Sequence, residues 1–129
     1  MLDEMEERLE GLPEEDFPSG FWGRYENFRD VFMVTGRCDL RAGIDGLCAV
    51  LMSLGVRVPP YGVLFLFRGR SAKRIKALCA DTDGISMMVN RRHCGQYHWI
   101  LQPPPRLVRL DRNSYYALMS GIPFNIEGI

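Results

Sequence analysis

Five basic residues fall within nine positions near the middle of the chain, directly after a short apolar run. The segment reads LFLFRGRSAKRIK over residues 64–76, and its basic members are Arg68, Arg70, Lys73, Arg74 and Lys76. Arg presents a planar fork that matches two phosphate oxygens, and Lys presents a mobile point charge. Carried on a turn between two strands, such a set suits contact with a phosphate backbone.

Two further basic residues, Arg91 and Arg92, end a later strand-like segment. Antiparallel pairing would bring them beside the first set, so that all seven side chains gather on one side of a sheet. If six of them met phosphates, affinity would fall ~10³-fold or more between about 50 and about 200 mM salt. We therefore predict a nucleic-acid interface made of Arg68, Arg70, Lys73, Arg74, Lys76, Arg91 and Arg92. The alternative is that these cations only protect sheet edges from aggregation.

The charges are distributed unevenly along the chain, although the net charge is zero. Residues 1–16 contain eight acidic residues and one basic residue, whereas residues 17–129 contain fifteen basic and eight acidic residues. The basic surplus of the second part favours a polyanionic partner. Residues 1–30 are predicted to form an acidic arm that is partly helical or partly disordered. An alternative is that this arm folds back on the basic face and screens it.

Side chains for catalysis or metal binding are sparse. His93, Cys94 and His98 lack the paired spacing of a zinc site, and within a strand the two histidines would face opposite sides. The sequence contains no serine nucleophile motif, glycine-rich phosphate loop or Cys–His pair. We therefore expect no catalytic residue, no metal and no cofactor. A metal-dependent nuclease that uses Asp39 or Asp81 is the weaker enzymatic alternative.

A helix is predicted to follow the first buried strand, VFMVT at residues 31–35. From Leu40 to Leu54, leucine and isoleucine recur at steps of three and four residues, which is typical of a helix with one apolar face. Gly43 and Gly46 lie inside this predicted helix, where each glycine is unfavourable. Their presence indicates close packing against a neighbouring strand or, alternatively, against a ligand.

Three charged residues at the start of this helix are candidates for binding a protein partner. They are Asp39, Arg41 and Asp45. Asp39 is expected to cap the helix, and Asp45 is expected to pair with Arg41 one helical turn away.

From Val63 onward the sequence favours a sheet. Four segments read VLFLF, RIKALCAD, GISMMVNRR and QYHWIL, and the Asp83-Gly84 pair between the second and third is a strong hairpin signal. Short polar connections between successive strands imply antiparallel neighbours. Tyr97 and Trp99 alternate along the fourth segment, where core packing is the expected role and stacking on unpaired bases is the alternative.

After the triple proline at residues 103–105, the segment RLVRL offers one more short strand. Asp111 is expected to cap a last helix that ends at Gly121. The predicted fold class is α+β: an antiparallel β-meander of about four to six strands packed against one central and one C-terminal helix. Residues 31–129 are expected to form a single domain.

The sequence carries no signal for export or membrane insertion. Apolar runs stay well short of the ~18–20 residues that a membrane-spanning helix needs, and the acidic N-terminus is unlike a signal peptide. The four cysteines are widely separated, which favours reduced thiols over a disulfide framework or a zinc site. We therefore expect a soluble, cytoplasmic protein with no membrane partner.

Several motifs resemble those of a known family. The most specific are TG..D.R.GIDGL, within MVTGRCDLRAGIDGLCAVL, and LFLFRGR, within GVLFLFRGRSAKRIKALCADTDGISMMVNRR. With GQYHWIL and a closing helix before GIPF, they cover residues 31–123 in unbroken order. In these features the chain resembles the TnpB-type accessory protein, the second open reading frame of insertion sequence 66 transposons. It departs from that family at Ala42, where a basic residue is usual, and near Cys79 and Ala80, where bulky aromatics are usual.

The resemblance implies a small non-catalytic protein that is needed for transposition beside a separate transposase. By this analogy we expect it to bind transposon DNA, at the transposon ends, through the basic sheet face. The alternative is a protein-interaction module that docks on the transposase without direct DNA contact.

Overall fold

The structure is a computed structural model that describes residues 24–126. Within these residues there are five strands, two α-helices and a short 3-10 helix at Tyr25–Asn27. The strands are β1 (Asp30–Val34), β2 (Val63–Arg68), β3 (Arg74–Ala80), β4 (Ile85–Arg91) and β5 (Leu107–Arg109). The helices are α1 (Ile44–Ser53) and α2 (Arg112–Met119).

The five strands of the described residues form one mixed sheet in the order β4-β3-β2-β1-β5, with α1 on one face and α2 on the other. Central strand β2 is buried along its whole length. Leu64 and Leu66 pack in the cluster that contains α2, whereas Phe65 and Phe67 pack in the cluster that contains α1. Because both faces are covered, β2 needs the nearly continuous apolar run seen in the sequence.

One strand pair departs from the predicted antiparallel meander. Strands β2, β3 and β4 follow one another as an antiparallel meander, and β5 is antiparallel to β1. β1 and β2 are parallel, with Val31 opposite Leu64. The physical reason is the connection, since α1 carries the chain from the end of β1 back to the start of β2. The α+β class and the two packed helices are confirmed.

The central helix begins later than predicted. Its N-cap is Gly43, and no side chain caps it. The Asp39 carboxylate instead accepts a hydrogen bond of 2.9 Å from the Arg41 backbone N–H, and Ala42 N donates to the Asp39 carbonyl at 3.0 Å. These bonds hold residues 39–42 in a turn before the helix, so the prediction that Asp39 caps it was wrong.

Gly43 and Gly46 were predicted to pack closely against a neighbouring strand or a ligand. The structure places no strand against either glycine. Gly43 has no heavy atom within 4 Å of the position that a Cβ would take. At Gly46 a Cβ would lie 2.7 Å from the Cβ of Ala42, in the preceding turn. Gly46 therefore makes room for that turn.

Residues 96–101 form no strand, which corrects the prediction for QYHWIL. Isolated hydrogen bonds hold this irregular segment in place: Tyr97 N donates to Ala72 O at 2.6 Å, and Ile100 O accepts from Gly36 N at 2.8 Å. Tyr97 is buried, and the Trp99 indole N–H donates to Val34 O at 3.0 Å. Core packing is therefore the role of both aromatic residues.

The predicted β3–β4 turn and the predicted ends of α2 are confirmed. Asp81 N donates to Gly84 O at 2.8 Å and closes the β3–β4 hairpin, in which Gly84 has a φ of +154°. Asp111 caps α2 by accepting a 2.7 Å hydrogen bond from Ser114 N. Gly121 follows the helix with a φ of +71°. Each of these features depends on residues close together in sequence, which is why local patterns predicted them.

The predicted acidic arm falls mainly on residues 1–23, which lie outside the described residues. Of its last residues, Tyr25–Asn27 form the 3-10 helix and Asp30 begins β1. Within residues 24–126, no helix combines the length and apolar character that crossing a membrane requires. The same residues contain no group of three or more potential ligands that could hold a metal ion.

Candidate nucleic-acid interface

Two loops meet at one edge of the sheet because β1 and β2 are parallel. Parallel strands end at the same edge, so the loop after β1 (residues 35–43) lies beside the loop after β2 (residues 69–73). Cys38 N donates a 2.7 Å hydrogen bond to Arg68 O and ties the first loop to the end of β2. In open sheets, such edges at the carboxyl ends of parallel strands are common ligand sites.

The close contact of the two loops requires glycine at position 69. A Cβ there would lie 2.8 Å from Leu40 Cγ and 3.2 Å from the carbonyl oxygen of Cys38. Leu40 is itself part of the core beneath α1. The glycine of the LFLFRGR motif therefore allows the first loop to pack directly over the second.

Four arginines line the cleft between these loops, which has a volume of about 760 Å³. Arg37 and Arg41 come from the first loop, whereas Arg70 and Arg74 come from the second loop and the start of β3. All four are exposed. The other lining residues are Cys38, Asp39, Leu40, Gly69 and Ser71. Among the described residues that line the cleft, Asp39 is the one carboxylate.

Asp39 neutralises one of the four arginines. Its carboxylate accepts bonds from Arg41 Nε at 3.0 Å and from Arg41 Nη2 at 2.9 Å. Hydrogen bonds from the Arg41 side chain, then from its backbone, lower the pKa of Asp39 to about 2. The pair is exposed, so it contributes little to stability. The remaining arginines leave the cleft strongly cationic.

A fifth arginine is buried next to the cleft. Arg68 is only 7% exposed, and its Nε atom has no hydrogen-bond partner among the described residues. Its Nη2 atom makes one long bond, 3.5 Å to Arg70 O. Burial, and secondarily the charge of Arg37, lower the pKa of the Arg68 guanidinium. A buried cation without an acidic partner is costly, and an anion held nearby would offset that cost.

Apart from the buried Arg68, the residues predicted to bind nucleic acid fall into two groups. Arg70, Lys73, Arg74 and Arg91 are exposed. Arg74 and Arg91 lie opposite each other in the β3–β4 pairing, which extends the positive surface from the cleft to the sheet edge. Like charges placed directly opposite are unfavourable unless an anion lies between them.

The second group makes contacts inside the protein. Lys76 is 8% exposed and its ammonium donates to Ala42 O at 2.9 Å. Arg92 donates to the carbonyl oxygens of Met119, Cys94 and Ser120 at 2.8, 3.1 and 3.4 Å. Its guanidinium also lies 5.6 Å from the centre of the Tyr97 ring. The Arg92 contacts join the end of β4 to the end of α2, and they use three of the five N–H donors of its guanidinium.

Two charged residues near α1 differ from the sequence-based interpretation. Arg37 lines the cleft but was not among the predicted residues, because no local pattern shows that β1 and β2 end at the same edge of the sheet. Asp45 was predicted to pair with Arg41, yet Arg41 pairs with Asp39. Since α1 starts at Ile44, Arg41 precedes the helix, and the expected one-turn spacing does not exist.

Residues 29–127 match a protein-family model described as IS66 Orf2 like protein. The chain belongs to the IS66 Orf2-like family. This confirms the resemblance seen in residues 31–123, and the family's role is an accessory one in transposition. The family is not known as a catalytic one.

A relative of this IS66 Orf2-like chain is the uncharacterized protein y4hO of Sinorhizobium fredii (strain NBRC 101917 / NGR234). The two are 33% identical over 82 residues, which are 64% of this chain and 66% of the relative. The match therefore spans slightly less than two thirds of the relative's length. No solved structure is significantly similar to the chain.

Proposed function

We propose that this protein binds the DNA of its transposon, at the transposon ends, and assists a separate transposase in the cytoplasm without catalysing strand chemistry. The observation that carries the proposal is the cleft in which Arg37, Arg41, Arg70 and Arg74 converge from two loops. Family membership supplies the setting of transposition, and the cleft supplies a chemistry that fits phosphate.

The geometry of the cleft favours a polyanion over a single small anion. Lys73 and Arg91 continue the positive surface beyond the four cleft arginines. Nucleic-acid backbones present phosphates at regular intervals, so a row of cations can engage several of them at once. The buried Arg68 adds a charge that a bound phosphate would help to compensate.

The proposed interface therefore differs in its residues from the interface predicted from the sequence. It contains Arg37, Arg41, Arg70, Lys73, Arg74 and Arg91. Arg68 acts from beneath the cleft, and Lys76 and Arg92 hold the fold. The transposase is the second proposed partner, with Asp39, Arg41 and the exposed Asp45 on the surface that it would meet.

The test is a salt series of binding to a labelled duplex taken from the transposon end. Each lost phosphate contact should reduce the slope of log K against log[salt] by about 0.9, so Arg70→Ala/Arg74→Ala should reduce it by about 1.8. The matched control is Arg57→Ala, an exposed arginine beyond the far end of α1, which should bind as the wild type does.

Two results would overturn the proposal: a wild-type protein that does not bind duplex DNA, or a double variant with an unchanged slope. If the wild type does not bind DNA but co-purifies with the transposase after nuclease treatment in high salt, docking on the transposase replaces DNA binding as the function. Circular dichroism of both variants would show whether the fold is retained.

A further inference from the structure

A small apolar slot opens beside the arginine cleft. Its walls are Gly36, Arg37, Leu101, Pro103 and Pro105, and its volume is about 420 Å³. Leu101 is 40% exposed, and both prolines are exposed. The described part of the chain thus leaves a group of apolar side chains in contact with water next to its most cationic surface.

Hydrogen bonds on both sides hold the slot open. Gly36 N donates to Ile100 O at 2.8 Å, and Thr35 N donates to Arg106 O at 2.9 Å. Arg106 N donates in return to the Thr35 hydroxyl oxygen at 2.9 Å. These three bonds fasten the proline segment to the end of β1, so the slot has fixed walls.

Arg37 belongs to both features, since it lines the cleft and the slot. An anion held by Arg37 therefore has cationic side chains on one side and an apolar surface on the other. A nucleotide has the same two parts, a charged phosphate and a base with apolar faces. In a duplex the bases are stacked inside, so only a base that has left the stack can reach an apolar slot beside its own backbone.

We propose that the slot receives an unpaired base of a DNA strand whose phosphate lies on Arg37. The inference rests on the proposed function, and it specifies the substrate class as DNA with an unpaired segment at or near a strand end. Leucine and proline are among the apolar residues that proteins place against base faces or between base steps. Covering Leu101 and Pro103 with a base would remove their apolar surface from water.

The test compares two labelled DNA hairpins with the same stem, one blunt and one with a short single-stranded extension. Because the base covers apolar surface of the slot, the wild type should bind the extended hairpin roughly tenfold more tightly at equal salt. Leu101→Ser should reduce this preference to near unity. The control is Val58→Ser, an exposed apolar residue outside both features, which should keep the preference.

A second measurement uses the wild-type protein alone. 2-Aminopurine placed in the extension should change its emission on binding, whereas 2-aminopurine within the stem should not. Equal affinity for the two hairpins, together with an unchanged signal in the extension, would overturn the inference and leave the proposed function standing. If neither hairpin binds at all, the proposed function fails and the inference fails with it.

Discussion

The Lys76 ammonium donates a 2.9 Å hydrogen bond to the carbonyl oxygen of Ala42, inside the protein. The bond joins β3 to the turn before α1 and so fixes one side of the arginine cleft. Lys73, three residues earlier, is exposed. Two lysines of one basic run therefore have different roles, one within the fold and one on the surface.

Replacing Lys76 with methionine should lower the free energy of unfolding by about 1–3 kcal/mol, because a hydrogen bond from a charged donor is lost while the aliphatic stem is kept. Urea denaturation would measure the change. Lys73→Met is the matched control and should leave stability within about 0.5 kcal/mol of wild type while weakening DNA binding. A Lys76→Met protein as stable as the wild type would contradict the structural role.

Replacing Gly69 with alanine should destabilise the protein by about 1–3 kcal/mol, because the new Cβ would lie 2.8 Å from Leu40 Cγ. The double variant Gly69→Ala/Leu40→Ala should lose less than the sum of the two single changes, since Leu40→Ala removes the atom that collides. Thermal and urea unfolding of all four proteins would complete the cycle. Strict additivity would show that the two residues do not meet.

Although Arg91 and Arg92 are neighbours in sequence, substituting them should affect different properties: DNA binding for Arg91 and stability for Arg92. Arg92→Ala leaves the carbonyl oxygens of Met119 and Ser120 without their donor and should cost about 2 kcal/mol or more. Arg91→Ala removes an exposed side chain and should weaken DNA binding with little effect on unfolding. The reverse pattern in denaturation and binding assays would refute these assignments.

The titration of Asp39 offers a test that needs no DNA. Its pKa is lowered from about 3.8 to about 2 by Arg41, so the pairing stabilises the folded protein above about pH 4 and is lost as the pH falls through about 2. Carboxyl-carbon NMR should place the midpoint near 2 in the wild type and closer to 3.8 in Arg41→Ala. Arg57→Ala should leave it unchanged, and a wild-type midpoint near 3.8 would exclude the pair in solution.

The sequence predicted short-range features better than long-range pairing, although the short-range Asp39 cap of α1 was predicted wrongly. The Asp81–Gly84 turn and the Asp111 cap involve residues within three positions of each other, and both were predicted. The parallel pairing of β1 with β2 joins residues about thirty positions apart through α1. Short connections after β2 are compatible with antiparallel neighbours and carry no information about the strand before α1.

The candidate site was missed in part for the same reason. Arg70, Lys73 and Arg74 were among the predicted residues because they lie close together in the sequence. Arg37 joins them only because two parallel strands end at one edge, which no local pattern shows. Conversely, the sequence could not show that Lys76 points into the interior, because a basic residue on a strand is usually on the solvent face.

The bond between Cys38 N and Arg68 O also bears on the entropy of binding. Because this bond fastens the first loop to the end of β2 before any ligand arrives, the backbone at Cys38, next to Arg37, is already fixed. Ordering a flexible loop costs about 1–2 kcal/mol for each residue that is fixed. The backbone beside Arg37 is thus ordered in advance, which lowers the entropic cost of holding an anion there.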